Sequence, residues 1–220
     1  MAEYDWYSRK TWTESDQADY FARLKRSRTQ YHKAQYLWVQ ARELHKVGLS
    51  HEAVSLLDKM VGEFPDTFWL STVWILKAEI LSGFGEIDGA IVCYRQALAA
   101  ERERPNHQTG AIFRFGVLAT ENQLTKLYDE VLTFLKREKE IGLEWPARVY
   151  SKNGTLAIIA DYKGQKAKAK KHALIAIKAA NQDDTGIRYH RKFGLVTKKK
   201  TKFHKAIESI ALDDVDSFSN

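Results

Sequence analysis

The chain has 220 residues, 44% of them apolar and 29% charged, with a formal net charge of +7; this is the balance of an ordinary folded protein, not of a disordered or fibrous one. A single cysteine, Cys93, excludes an internal disulfide framework, and no apolar run reaches the length of a membrane span. The opening MAEYDWYSRK has no apolar stretch of the signal-peptide kind, so a cytoplasmic protein is expected. The positive charge is local. Residues 162–205 hold fourteen Lys and Arg against Asp183 and Asp184, and 206–220 hold four acids and no base. Any attraction for polyanions therefore concentrates near the C-terminus.

Residues 1–11 show no period and read as loop. Thr13 opens a helix, because Thr13 and Asp16 have capping-box spacing and Glu14 adds negative charge to the first turn. Phe21 and Leu24 form its apolar stripe, and Lys25, Arg26 and Arg28 suit its C-terminal end. It reads as an N-terminal cap over 13–30. Two copies of one pattern follow. Ala41, Leu44, Gly48, Ala53, Leu57 and Pro65 make the first; Ala78, Leu81, Gly85, Ala90, Tyr94, Ala97 and Pro105 make the second. Ala41 to Ala78, Gly48 to Gly85 and Ala53 to Ala90 are each 37 residues apart. Such a period predicts a helical repeat. The alanines let two helices touch, the glycine supplies positive φ in the turn, and the proline ends the second helix.

A third pair is predicted over 108–145, with Ile112, Phe113, Phe115 and Leu118 on one helix and Leu127, Val131, Leu132 and Leu135 on the next. Asn122 or Gln123 stands where the glycine should be. The fourth pair, 147–182, restores the markers with Ala157, Gly164, Ala169, Ala173 and Ala176. From Asn181 to Lys200 the periodicity stops. Phe203, Ile207 and Ile210 predict one short final helix within a C-terminal cap over 183–212, and 213–220 should be a disordered tail.

The repeated pattern resembles the tetratricopeptide repeat. Trp74, Ala78, Leu81, Gly85, Ala90, Tyr94 and Ala97 fall on that family's positions. Leu37, Ala41, Leu44, Gly48, Ala53 and Pro65 do so in the first copy, with Gln40 where Leu is usual and Met60 where Ala is usual. The period is slightly longer than the family's about 34 residues. The resemblance implies one all-α domain over 1–212, a right-handed superhelix of about four helix pairs (34–66, 67–105, 108–145, 147–182) with atypical capping helices. It implies a concave surface lined by the first helix of each pair, and binding of a protein or peptide segment. On the family's inward positions lie Gln35, Trp38, Arg42, His45, Lys46, Ile75, Glu79, Ser82, Ile158 and Asp161.

Other motifs have plain explanations. Gly83, Gly85 and Gly89 follow a helical pattern, not the strand that a phosphate loop requires. The seven histidines form no ligand set, so no metal or cofactor is expected. Glu101 and Glu103 alternate with Arg102 and Arg104 and read as a solvated face. No G-x-S-x-G elbow occurs, and Cys93 lies in a core pattern, so no enzyme is expected. Trp69, Trp74 and Trp145 read as packing residues. Trp38 either faces the groove or is covered by the N-terminal cap helix. The segment with Arg188, Arg191, Lys192, Lys198, Lys199, Lys200 and Lys202 interleaves bases with Tyr189 and Phe193. It suits phosphate contact with base stacking, or else it packs over the last repeat with Phe193, Leu195 and Val196 buried. The expected function is a protein-interaction scaffold, with nucleic-acid or polyanion binding through 162–205 as the alternative and no membrane contact.

Overall fold

The computed structural model describes residues 6–65, 68–137, 145–185, 188–197, 199 and 201–213. Among them are ten α-helices and no strand: α1 Glu14–Arg26, α2 Gln30–Lys46, α3 Ser50–Glu63, α4 Leu70–Gly83, α5 Ile87–Glu103, α6 Ala111–Glu121, α7 Tyr128–Arg137, α8 Pro146–Tyr162, α9 Lys166–Ala180 and α10 Lys202–Leu212. Contacts group the chain into two compact units, Met1–Ala111 and Ile112–Asn220.

One turn recurs in both units. Gly48, Gly85, Gln123 and Gly164 have φ of 89°, 82°, 52° and 72°. Each donates its N–H to the carbonyl three residues back. The next residue then donates five residues back: Leu49 to Leu44, Glu86 to Leu81, Leu124 to Ala119 and Gln165 to Ala160, at 2.8–2.9 Å. These bonds satisfy carbonyls that a helix end leaves unpaired. The residue after the turn is also alike in all four, with φ between −79° and −85° and ψ between 60° and 68°. The second helix then restarts directly, except in the third pair, where a short 3-10 turn at Thr125–Leu127 precedes α7.

In the first unit α2 packs on α3, α3 on α4 and α4 on α5. Ala41, Ala53, Ala78 and Ala90 have no exposed surface, so the marker alanines lie in the contacts between helices. Leu37, Leu44, Leu57 and Met60 fill the space around them. Each such side chain contributes roughly 2 kcal/mol by leaving water. Thr13 caps α1, and its side chain and backbone bond reciprocally with Asp16. Ahead of it, Trp6 and Trp12 pack on Tyr20. Gln40, wholly buried, replaces an apolar contact with a two-way bond: its Oε1 accepts from Arg9 N–H at 2.9 Å and its Nε2 donates to Arg9 C=O at 2.8 Å.

Glu101 corrects the expectation of a solvated face at the end of α5. Only 4% of it is exposed. Its Oε1 accepts from the Thr109 N–H at 2.8 Å, the Thr109 hydroxyl at 2.5 Å and the Ala111 N–H at 3.2 Å. Glu103 is exposed, as expected. Alternating charges hid the difference, because position 101 turns toward the 109–111 backbone, where three donors compensate a buried carboxylate.

In the second unit α8 packs on α9, and α10 packs on both. Ala169, Ala173, Ala176 and Ala180 form the α9 contact face. Gly154 admits α10: a Cβ there would lie 2.5 Å from Phe203 and Ile207. Tyr150 meets His204 of α10 at 3.1 Å, and burial pushes the Tyr150 phenol up to about 12. Phe193 departs from the expected covered cap. It leans edge-on against Trp145 but remains 62% exposed, while Val196 does pack on the core. Of the expected disordered tail, only Asp213 is described and 214–220 lie outside the described residues. No described helix is long and apolar enough to cross a membrane.

Candidate interaction surface

The helical period of α2 puts Trp38, Arg42, His45 and Lys46 on one side. Trp38 of α2 meets Trp69, just ahead of α4, and Arg42 of its own helix. Its ring stacks on Trp69, with centroids 5.2 Å apart and planes at 21°, and the Arg42 guanidinium lies 4.8 Å from its centroid. Trp38 is thus half-buried against the core. Trp38 Nε1, Trp69 Nε1 and Arg42 Nε are enclosed without an acceptor among the described residues. His45 Nδ1 pairs with the Ser50 hydroxyl at 2.8 Å.

Glu43 was missing from the sequence reading of this face. It lies one position from Arg42 and three from Lys46, and it accepts from both, at 3.2 and 2.7 Å. The Lys46 hydrogen bond, followed by the charges, holds its carboxyl below the ordinary range. The face is therefore a compact mixed-charge cluster on an aromatic base, not a purely basic strip. Surface pairs of this kind contribute little stability, about 0–1 kcal/mol, but they fix side-chain positions.

Helix α4 touches α2, so the two first helices are neighbours. Gln35, Glu79 and Ser82 are half-exposed. Ile75 is not available on a surface: only 6% of it is exposed, and it belongs to the core. Counting from Ala78 placed it correctly along the helix but missed that an apolar residue on a touching face is covered. In the second unit, Ile158 packs against the core, and Asp161 accepts from Lys166 Nζ at 2.6 Å.

The C-terminal basic segment is more open. Arg188, Arg191, Lys192, Lys199 and Lys202 are exposed, while Lys198 and Lys200 lie outside the described residues. Arg191 meets Asp184 at 3.4 Å, Lys199 donates to Asn181, and Arg188 lies 5.3 Å from the Tyr189 ring centroid. Tyr189 is 81% exposed. Aromatics presented this fully beside bases are what the packed-cap reading did not anticipate.

A third feature had no sequence signal beyond a run of bases. Where α1 ends and α2 begins, an open bowl of about 630 Å³ is lined by Trp6, Arg23, Arg26, Arg28, His32 and Tyr36 among others. Arg26 and Arg28 read in sequence as helix-end charges, and the distant Trp6 completes the wall. Among the described residues no cluster of His, Cys, Asp and Glu could hold a metal. Compared with protein-family models, curated proteins and solved structures, the chain matches none.

Proposed function

We propose that this chain is a tetratricopeptide-like repeat protein, a scaffold that binds a segment of a partner protein along the exposed face of α2 and its neighbour α4. The observation that carries the reading is the turn repeated four times with the same hydrogen bonds and the same following residue geometry. A repeated helix pair of this kind presents successive first helices side by side, a common basis for peptide recognition. On α2 the aromatic pair Trp38–Trp69 with Arg42, Glu43 and Lys46 offers an apolar anchor ringed by charge of both signs. That composition suits a segment with an apolar residue flanked by polar groups.

A second reading has its own observation, the exposure of Tyr189 and Phe193 among Arg188, Arg191 and Lys192. Stacking on such rings with phosphate contact from the bases is how unspecific single-strand binding works. One experiment separates the two. A protein co-purified with the chain from its host is titrated against the wild type and against Arg42→Ala with Lys46→Ala. The double variant should remain folded and should associate several-fold more slowly, with weaker salt dependence. Unchanged association would remove α2 from the interface. Recovery of nucleic acid instead of protein, released steeply by salt, would favour the second reading.

A further inference from the structure

We propose that the basic bowl between the end of α1 and the start of α2 binds a small organic phosphate carrying a planar ring, of the chemical class of a nucleoside phosphate. The volume, about 630 Å³, lies within the range of small-molecule sites and exceeds what an inorganic anion needs.

Charge comes first. The last turn of α1 holds Arg23, Lys25 and Arg26, Arg28 follows, and the first turn of α2 contains no acid. By contrast, the first turn of α1 holds Glu14 and Asp16, the usual compensation at a helix start. The nearby acids are already engaged: Asp16 with Arg9, and Asp19 with Arg9 and Arg23. Arg26 uses its Nε on the Ala22 carbonyl. Among the described residues no carboxylate pairs with the outer N–H groups of Arg26 or with Arg28. Two guanidinium forks two residues apart, both exposed and without a carboxylate partner among the described residues, match the oxygens of a phosphate.

The facing wall is aromatic. Trp6 packs edge-on against Tyr36 at 4.9 Å, and the exposed His32 ring lies nearly parallel to Tyr36, 6.2 Å away at 21°. Thr29 Oγ1 holds His32 in place through its backbone N–H at 3.1 Å and its Nδ1 at 2.7 Å. Flat rings beside unpaired guanidinium groups bind a planar base and its phosphate together. The bowl lies apart from the α2–α4 face, so its test stands or falls independently of the partner-binding proposal.

The test is calorimetric titration of the full chain with ADP, adenosine, inorganic phosphate and a phosphoserine peptide. ADP should bind, with adenosine and inorganic phosphate each at least about tenfold weaker, and its affinity should fall as salt rises. Arg26→Gln with Arg28→Gln, both on exposed side chains, should weaken ADP at least about tenfold, while circular dichroism remains unchanged. Should that double variant not fold, Arg28→Gln alone should still weaken ADP several-fold. The proposal is overturned by absence of ADP binding, by adenosine binding as tightly as ADP, by a folded variant that binds ADP normally, or by a phosphopeptide that binds where ADP does not.

Discussion

The turn at Gly85 and the turn at Gln123 have the same backbone hydrogen bonds, yet one is built on glycine and the other on a residue with a side chain. Gly85 has φ 82° and open space where a Cβ would go. Gln123 has φ 52°, close to the narrow left-handed region open to L-residues. The helix-end bonds therefore define the turn, and glycine only lowers the strain of making it. The third pair keeps its hinge at some conformational cost and gives up the sequence marker by which the hinge is recognised.

The largest effect should come from Gly85→Val. Nothing lies within 4 Å of a Cβ placed there, so the expected penalty is backbone strain, on the order of 1–3 kcal/mol for a β-branched residue at positive φ. Thermal unfolding measures it, and an unchanged midpoint would mean that the turn is not held left-handed. Gln123→Gly tests the other side of the comparison. Relief of left-handed strain is partly offset by the greater freedom of glycine in the unfolded chain, so a gain of about 0.5–1 kcal/mol is expected. A loss would show that the Gln123 side chain contributes more than its conformation costs.

The smallest effect separates hinges from caps by pH. No titrating side chain makes the hinge bonds, so hinge variants should shift stability equally at every pH. The Thr13–Asp16 cap differs. Hydrogen bonds from the Thr13 N–H, then from its hydroxyl, lower the Asp16 carboxyl from its ordinary 3.8 to about 2. A group depressed in the folded state stabilises above its unfolded value and loses that contribution as pH falls through the folded one. The Thr13→Ala deficit in melting temperature should thus be full at neutral pH and shrink as pH falls from about 4 to about 2. A deficit constant across that range would mean that the Thr13 hydroxyl does not bond the Asp16 carboxylate, since the variant keeps the Thr13 N–H bond.

The all-helical fold was legible because its signals are local: the 37-residue spacing of alanines and glycines, the Thr13 cap, and the apolar burial pattern that includes Cys93. Gln123 was legible only as one of two residues at a position lacking its glycine. What escaped depended on which way one residue faces. Glu101 and Glu103 share a composition, but only Glu101 meets three backbone and hydroxyl donors. Ile75 had the right helical position for a surface and too much apolar area to remain on one. Glu43 left no mark in a run of bases, because its part there comes from pairing with the opposite charges of Arg42 and Lys46. The bowl joins Trp6 to Arg26 and Arg28 across about twenty residues of chain, a proximity no local pattern encodes.

The Gln40–Arg9 pair has a consequence for how the leading segment finds its place. An apolar residue at 40 would hold that segment by contact area, and contact area varies little if the chain slides by one residue. A side-chain amide that both accepts from the N–H and donates to the C=O of a single residue behaves like one rung of a strand ladder, and it recognises one residue only. Moving the segment by one position would leave a buried donor and a buried acceptor empty together. Gln40 therefore acts as an address: it fixes which residue sits at the helix, and with it where Trp6 and Trp12 must land around Tyr20.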